Sequence, residues 1–464
     1  MLRIGGQRIP TRTLLVIAFD AVLILLGLTM AALLRFGHDR PLQEHFRSGQ
    51  VFRFGIVVLI CIIALYYNDL YNAQVIRRHS ELVLRLLQAL GTASLMLAVV
   101  YYFAPDQGMG RGIAALAAPI ILVLLLGPRL FLDSTGFLMG GPERVLVLGT
   151  GPAGISLVRE IISRPELHLK VVGFLDERGE NIGKSLVNPG IIGAASDVES
   201  VVTSEKVDRV VLSLVERRGK TPMHELLHLK FAGVQVEDAH AFNEKLTGRI
   251  ALQNLSPSNL VLSEGFRKSP LLLAAKRTMD VVAAVLVLII GLPVMGLVAL
   301  AIWLESGSPI LFRQERIGLW GKPFTIYKFR SMVQNAEQNG PTWAANNDAR
   351  ITRVGRFARK FRLDELPQVF NVLRGEMSLV GPRPERPYFC EQLEKDNSYY
   401  VLRHSVRPGI TGWAQVKYQY GASIEESKTK LEYDIFYIKH LSPLLDLAIL
   451  LETIKVMIYT RGAK

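Results

Sequence analysis

The sequence has 464 residues, enough for two or three domains. Half of them are hydrophobic, but the apolar residues are concentrated in 13–132 and 281–304, which argues against one soluble core and for membrane segments. The net charge of +13 then suits an anionic membrane surface or phosphate-bearing substrates better than nucleic acid. Cys61 and Cys390 are the only cysteines, so no disulfide framework or zinc spacing exists.

Four apolar stretches come first: Thr13–Leu34, Phe54–Tyr67, Leu82–Phe103 and Ile113–Leu132. Each approaches the ~20 residues a spanning helix needs. The first contains Asp20 and no small-residue cleavage site follows it closely, so it is not read as a signal peptide. Arg85 and Arg129 are expected near interfaces. Arg3, Arg8 and Arg12 precede the first stretch, and Arg77, Arg78 and His79 lie between the second and third. The positive-inside tendency places both segments in the cytoplasm, although Arg35, Arg40 and Arg47 in the first loop oppose it. Four spans return the chain to the cytoplasm near Asp133.

The next region alternates strand-like and helix-like patterns. Arg144–Gly149 reads as a buried strand ending in a glycine turn, and Val171–Leu175, Val207–Leu214 and Val234–Glu237 read as later strands. A Rossmann-like α/β domain over 136–262 is expected. Gly149, Gly151 and Gly154 form a G-x-G-x-x-G between strand and helix, with Asp176 22 residues beyond Gly154. That context suits a dinucleotide-type loop. Glycines that merely shape a turn fit it equally well, so a nucleotide here is open.

Val281–Leu304 carries no charge and, as a straight helix, would be ~36 Å long, enough to span. Gly291-Leu-Pro293 interrupts its middle. Arg267, Lys268, Lys276 and Arg277 stand before it, and Arg313, Arg316, Lys322 and Lys328 after it. Basic flanks on both sides favour a re-entrant helical hairpin over about 278–304, rather than a fifth, kinked span. The chain from 263 to 464 is then a monotopic domain on the cytoplasmic face. Within it Ile351, Val354, Phe357 and Phe361 form an apolar stripe, with Arg353, Arg356, Arg359 and Lys360 on other faces. Such a helix lies in a membrane interface or packs on a core.

The most informative stretch runs from Phe361 to Arg386 and contains the pair Asp364-Glu365. Adjacent carboxylates are usually a solvated surface. Here they stand among Arg350, Arg353, Arg356, Arg359, Arg362, Arg374, Arg383 and Arg386. Two unit charges ~4 Å apart interact by ~4 kcal/mol at an effective dielectric near 20, so a carboxylate meets a phosphate only if cations cancel the repulsion. Guanidinium groups and a divalent cation do that. The same cluster would also suit anionic lipid.

The sequence resembles the bacterial polyprenyl-phosphate hexose-1-phosphate transferases, the large monotopic phosphoglycosyl transferases. The shared marks are Lys276–Asp280, Gly307–Gly318, Phe324–Met332, Arg350–Gly355, Leu363–Gln368, Gly375–Glu385, Arg407–Gln415 and Leu431–Asp434, in order across nearly all of 270–464. The four-span unit at 1–135 and the middle domain also resemble exopolysaccharide-type members. The resemblance implies Asp364 as nucleophile and Glu365 as its acidic partner, both at a Mg²⁺ site. It implies Lys328, Arg330, Arg350, Arg359, Arg383 and Arg386 as ligands for substrate phosphates. Arg362 departs from the small hydroxyl residue that many relatives carry there. The implied reaction moves hexose-1-phosphate from a UDP-hexose to polyprenyl phosphate, with release of UMP, in the first step of surface-polysaccharide assembly. The implied location is the bacterial inner membrane, and a homo-oligomer is open. A membrane-anchored NAD-dependent epimerase or dehydratase is the alternative, but no tyrosine has lysine four residues on. No Asp-x-Asp is present either. A non-enzymatic membrane scaffold is the remaining possibility.

Overall fold

The computed structural model describes residues 2–4, 7–9, 11–36, 50–68, 70–71, 79–108, 110–134, 142–167, 169–214, 222–252, 263, 265–334, 348, 350–418 and 424–458. Arg40, Arg47, Arg77 and Arg78, on which part of the orientation argument rests, lie outside them. The chain divides into two compact units, one holding Arg8–Ala239 and the other His240–Lys464.

The first unit opens with α1 (Thr11–Phe36), α2 (Gln50–Tyr67), α3 (His79–Phe103) and α4 (Arg111–Ser134). Ile24 and Leu28 of α1, Ala64 of α2, Leu86 and Ala89 of α3 and Leu125 of α4 share one buried cluster. The outward faces are apolar as well, with Leu15, Leu34, Leu95 and Val123 exposed. A helix that is apolar all round belongs in lipid. Leu15–Arg35, Leu82–Phe103 and Gly112–Phe131 are long and apolar enough to cross a membrane, and Phe52–Tyr67 is a shorter apolar helix. Arg129, expected near an interface, donates from its Nη2 to Asp20 Oδ2 at 2.7 Å, with Asp20 buried and Arg129 part-buried between α1 and α4.

The same unit continues into a sheet of β1 (Glu143–Leu148), β2 (Leu169–Asp176), β3 (Ile191–Ala194), β4 (Arg209–Leu212) and β5 (Gln235–Asp238). All neighbours are parallel and the order is β3-β2-β1-β4-β5. Helices α5 (Pro152–Ser163), α6 (Val198–Ser204) and α7 (Met223–Phe231) cover its faces. Strands buried on both faces read as unbroken Val/Leu runs, which is why β1 and β4 were predictable. Because the crossovers leave β1 in opposite directions, the carboxyl ends of β1 and β4 mark the point where the strand order reverses.

Helix α8 (Ala239–Thr247) lies at the start of the long segment of the second unit. Residues 240–252 pack here: Trp413 Nε1 donates to the Gly248 carbonyl at 2.7 Å, and the Ile250 and Leu252 amides bond to Glu432. Helix α9 (Pro270–Ser306) follows, capped by the Ser269 hydroxyl. It is continuous, with Pro293 inside it, so the expected break does not appear as an interruption of the helix. Its 37 residues make it a fourth element long and apolar enough to cross a membrane. Both halves of α9 seat on the second unit. Before Pro293, Lys276 bonds Asp446 at 2.6 Å and the Val380 carbonyl at 3.0 Å, and Ala284 is fully buried. After Pro293, Val298 and Ile302 pack with Phe329. Between them Leu286, Ile289, Ile290 and Leu292 are exposed.

Next come the antiparallel pair β6 (Leu311–Ile317) and β7 (Pro323–Phe329), then α10 (Arg353–Lys360), a 3₁₀ segment Leu363–Gln368 and α11 (Val369–Arg374). The short parallel pair β8 (Ser378–Val380) and β9 (Gly409–Thr411) is flanked by α12 (Pro387–Asp396) and α13 (Trp413–Lys417). Helices α14 (Ile424–His440) and α15 (Pro443–Ile458) complete the core around Tyr437, Phe436 and Met377.

Candidate active site

Asp364 and Glu365 lie in the 3₁₀ segment directly after Arg362, which adopts the left-handed conformation at φ 53°. Both carboxylates are buried. Buried carboxylates must be paired or change protonation. Glu365 is paired: its Oε1 accepts from Lys328 Nζ at 2.9 Å and from Arg383 Nη2 at 2.8 Å. Lys328 comes from the end of β7 and Arg383 from the Pro382-Arg383-Pro384 segment after β8. Burial would raise Glu365, but Arg383 and Lys328 overcome it and hold the carboxyl well below the usual range. Asp364 moves the other way. Burial raises it, the adjacent Glu365 charge adds to that, and Lys328, Arg359 and Arg383 oppose. One carboxylate is thus locked as an anion, while its neighbour is made more basic.

The backbone of the arginine segment is itself held. Gly381 lies so close to the next strand that a Cβ there would stand 2.4 Å from the Arg407 carbonyl, so no larger residue fits. Arg316 Nη1 donates to the Pro384 carbonyl at 3.0 Å. Arg403 Nη2 donates both to the Arg383 carbonyl and to Asp434 Oδ2, each at 2.9 Å, while its Nη1 bonds the Tyr400 hydroxyl. Burial pushes Asp434 up to about 6 despite that arginine.

The other predicted cations separate. Arg359 donates to Ser331 Oγ at 2.8 Å and acts on Asp364 through its charge. Arg386 stands at the start of α12, three residues beyond Arg383. Arg330 points elsewhere: its Nη2 bonds the Ser306 carbonyl, the Ser306 hydroxyl and the Gly307 carbonyl, clasping the end of α9. Arg350 forms a two-toothed pair with Asp348 at 2.8 and 2.5 Å. In this arrangement Arg350 pairs with Asp348 and Arg330 Nη2 bonds the end of α9, while Nε and Nη1 of Arg330 are buried with no hydrogen-bond partner among the described residues.

Among the described residues no group of three or more His, Cys, Asp or Glu is placed to hold a metal ion. Magnesium often uses one or two carboxylates with substrate phosphates and water. The dyad fits that pattern. Glu365 Oε1 already accepts from two cations, so Asp364 is the better ligand.

A bacterial sugar transferase family profile matches residues 271–460, the span that holds this site. A UDP-glucose:undecaprenyl-phosphate glucose-1-phosphate transferase of Klebsiella pneumoniae is 34% identical over 320 residues, 67% of this chain and 67% of that protein. The chain belongs to the bacterial sugar transferase family. This family member is also 43% identical over 239 residues to a UDP-N-acetylgalactosamine-undecaprenyl-phosphate N-acetylgalactosaminephosphotransferase of Aeromonas hydrophila, 52% of this chain and 56% of that protein. It is 44% identical over 192 residues to a UDP-glucose:undecaprenyl-phosphate glucose-1-phosphate transferase of Caulobacter vibrioides, 40% of this chain and 71% of that protein. The chain spans 56% of the Aeromonas protein and 67% of the Klebsiella one. A CoA-binding domain profile matches residues 66–229.

The glycine loop of this transferase family member lies where the sequence placed it, between β1 and α5. Its glycines answer to Ser213, the residue after β4. A Cβ on Gly149 (φ +100°), Gly151 or Gly154 would stand 2.5, 2.6 or 2.7 Å from Ser213 atoms. Gly154 donates its amide to Ser213 Oγ at 2.7 Å, and Gly151 donates its amide to the Ser213 carbonyl at 3.1 Å. Asp176 accepts from the Glu180 amide at 3.0 Å and from Asn181 Nδ2 at 3.4 Å. Two amides that a pyrophosphate would use at such a helix start are therefore occupied. Sequence reasoning missed Arg403, Asp434 and Ser213. The first two follow or end recognisable motifs, but nothing in a linear pattern says that they meet behind Arg383.

Proposed function

We propose that this protein transfers hexose-1-phosphate from a UDP-sugar to polyprenyl phosphate at a membrane surface, releasing UMP and starting surface-glycan assembly. The observation that carries the reading is the buried dyad in which Lys328 and Arg383 neutralise Glu365 while Asp364 is left more basic. The names of the relatives supply the substrate class.

In the first step an Asp364 oxygen attacks the phosphorus that bears the sugar. The bond from that phosphorus to the bridging oxygen breaks, and UMP leaves with the electron pair. The product is a sugar-phosphoryl aspartate, an acyl phosphate. In the second step a phosphate oxygen of the polyprenyl phosphate attacks the same phosphorus, and Asp364 returns as a carboxylate. Covalent catalysis of this kind divides one hard displacement into two easier ones. Arg383 and Lys328 hold Glu365 and present positive charge to the donor phosphates, and Arg359 adds its field. Magnesium held by Asp364 would supply further neutralisation of charge on the leaving phosphate.

The membrane geometry supports the same reading. Segments of α9 before and after Pro293 pack on one compact unit, which suits entry and exit on one face better than a full crossing. UDP-sugars are cytoplasmic, so that face is the cytoplasmic face of the inner membrane. No observation favours the epimerase alternative. Asp364→Asn is the direct test: UMP release should vanish while the protein stays folded and membrane-bound, and near-normal release would sink the assignment.

A further inference from the structure

A polar cavity of about 180 Å³ adjoins the dyad. Arg383 belongs to both, since it lines the cavity and its Nη2 bonds Glu365. Arg362, two residues before Asp364, lines it too. So does the Arg403–Asp434 pair that holds the Arg383 carbonyl. Lys430, one turn before Asp434 on α14, and Glu385 complete the charged part of the lining. Two atoms on lining residues are buried with no hydrogen-bond partner among the described residues: Gln415 Oε1, an acceptor, and Arg403 Nε, a donor. The wall beside α13 is fixed, because a Cβ on Gly412 would stand 2.2 Å from the Gly381 carbonyl. Tyr418, at the end of α13, is stacked on Tyr433 with ring centroids 6.4 Å apart.

We infer that this cavity takes the hexosyl ring of the donor, and that Glu385, Gln415 and Lys430 select the sugar through its hydroxyl groups; the inference rests on the transfer reaction proposed above. Whole small-molecule sites usually measure ~300–1,000 Å³, so the cavity holds one ring of the donor rather than the entire nucleotide sugar. Its lining mixes both signs. Glu385 and Asp434 would repel a second phosphate, whereas Arg383, at the boundary with the dyad, suits the phosphate that bears the sugar. A hydroxyl both donates and accepts, so a ring carrying several of them answers carboxylate, amide, guanidinium and ammonium groups together. Such a ring offers Gln415 Oε1 a donor and Arg403 Nε an acceptor. Uracil fits less well, because with ribose on its N1 it has a single N–H to give to these acceptors. Tyr418 adds an apolar face for the C–H groups of a pyranose.

Selectivity is the readout that separates this role from a structural one. The full chain in lipid nanodiscs is assayed for UMP release with undecaprenyl phosphate and four donors: UDP-glucose, UDP-galactose and their two N-acetylhexosamine counterparts. Lys430→Met and Gln415→Leu change the cavity and leave both dyad carboxylates in place. In each variant the ratio of kcat/KM between the preferred sugar and its 4-epimer should fall at least tenfold, while the inhibition constant of UMP stays unchanged. Equal losses on all four donors, with the ratio unmoved, would make the residues structural and overturn the assignment. A rise in the UMP constant in step with the donor KM would place the nucleoside in the cavity, and the assignment fails. If a variant does not fold, a UDP-N-acetylglucosamine analogue with a diazirine on its acyl group decides on the wild type. Its label should fall within Gly412–Tyr418 or Lys430–Asp434 and be displaced by the preferred UDP-sugar, and a label confined to other segments overturns the assignment. A wild type that releases no UMP from any of the four donors would instead remove the transfer reading itself.

Discussion

Glu365 and Asp364 are adjacent in the chain, but Lys328 and Arg383 bond Glu365 and hold it low, while burial and the Glu365 charge raise Asp364. The rate should therefore fall on the acid side as Asp364 takes up a proton. That fall should lie above the ordinary carboxylate value near ~3.9, since burial and Glu365 both raise Asp364. Lys328 lowers Asp364, so Lys328→Met should move the acid limb of kcat/KM to still higher pH. A limb that stays in place would remove Lys328 from the electrostatics of the nucleophile. Behind the dyad, Arg403→Met leaves Asp434 buried without its partner and frees the Arg383 carbonyl. Breaking one side of a buried pair typically costs on the order of 3–5 kcal/mol. Thermal unfolding should show such a loss, and Asp434→Asn in the same chain should recover part of it. A double-mutant cycle with no coupling would contradict the pairing.

At the scale of elements, what the sequence made legible depends on pattern length. The long apolar helices and the Val/Leu strands β1, β2 and β4 stood out because each repeats its signal over many residues. Strand β3, only Ile191–Ala194, follows Pro189-Gly190 and carries too few residues to show a period. The dyad was legible as a motif. The division of its arginines was not: a charge run says how many cations are near, not that Arg330 turns to α9 and Arg350 to Asp348. Pro293 does not interrupt the helix, for a related reason. Proline removes one backbone donor, but apolar helices tolerate it, and here the helix continues through it. The glycine loop was legible as a turn, and Ser213 supplies what the pattern lacked. Gly154→Ala should overpack the contact with Ser213, at a cost of roughly 1–3 kcal/mol seen in thermal unfolding. Because loop amides are already bonded, 1,000-fold dilution from millimolar NAD should leave the melting temperature unchanged. A concentration-dependent rise would show that the loop binds it.

For the whole molecule, two expectations concern boundaries and sidedness. A chain starting at His240 keeps Glu244, which bonds Lys439 and His440, and Gly248, which holds Trp413. It should release UMP from a UDP-sugar. A chain starting at Ser263 loses these contacts and should unfold at lower temperature, and equal melting of the two would show that 240–252 adds nothing. For sidedness, single cysteines near Ser269 and Gly321 in a Cys61→Ser, Cys390→Ser background should both resist an impermeant thiol reagent in intact cells. Labelling near Gly321 alone would establish a true crossing. The Asp20–Arg129 pair carries a different consequence, one of timing during synthesis. The two charges sit on the first and last of the four N-terminal helices, 109 positions apart. The ribosome therefore releases the carboxylate into the bilayer long before its guanidinium partner exists. Until α4 emerges, Asp20 lacks that guanidinium and has the Tyr71 hydroxyl beside it, so the charge pair can form only when the last helix of the four joins the first.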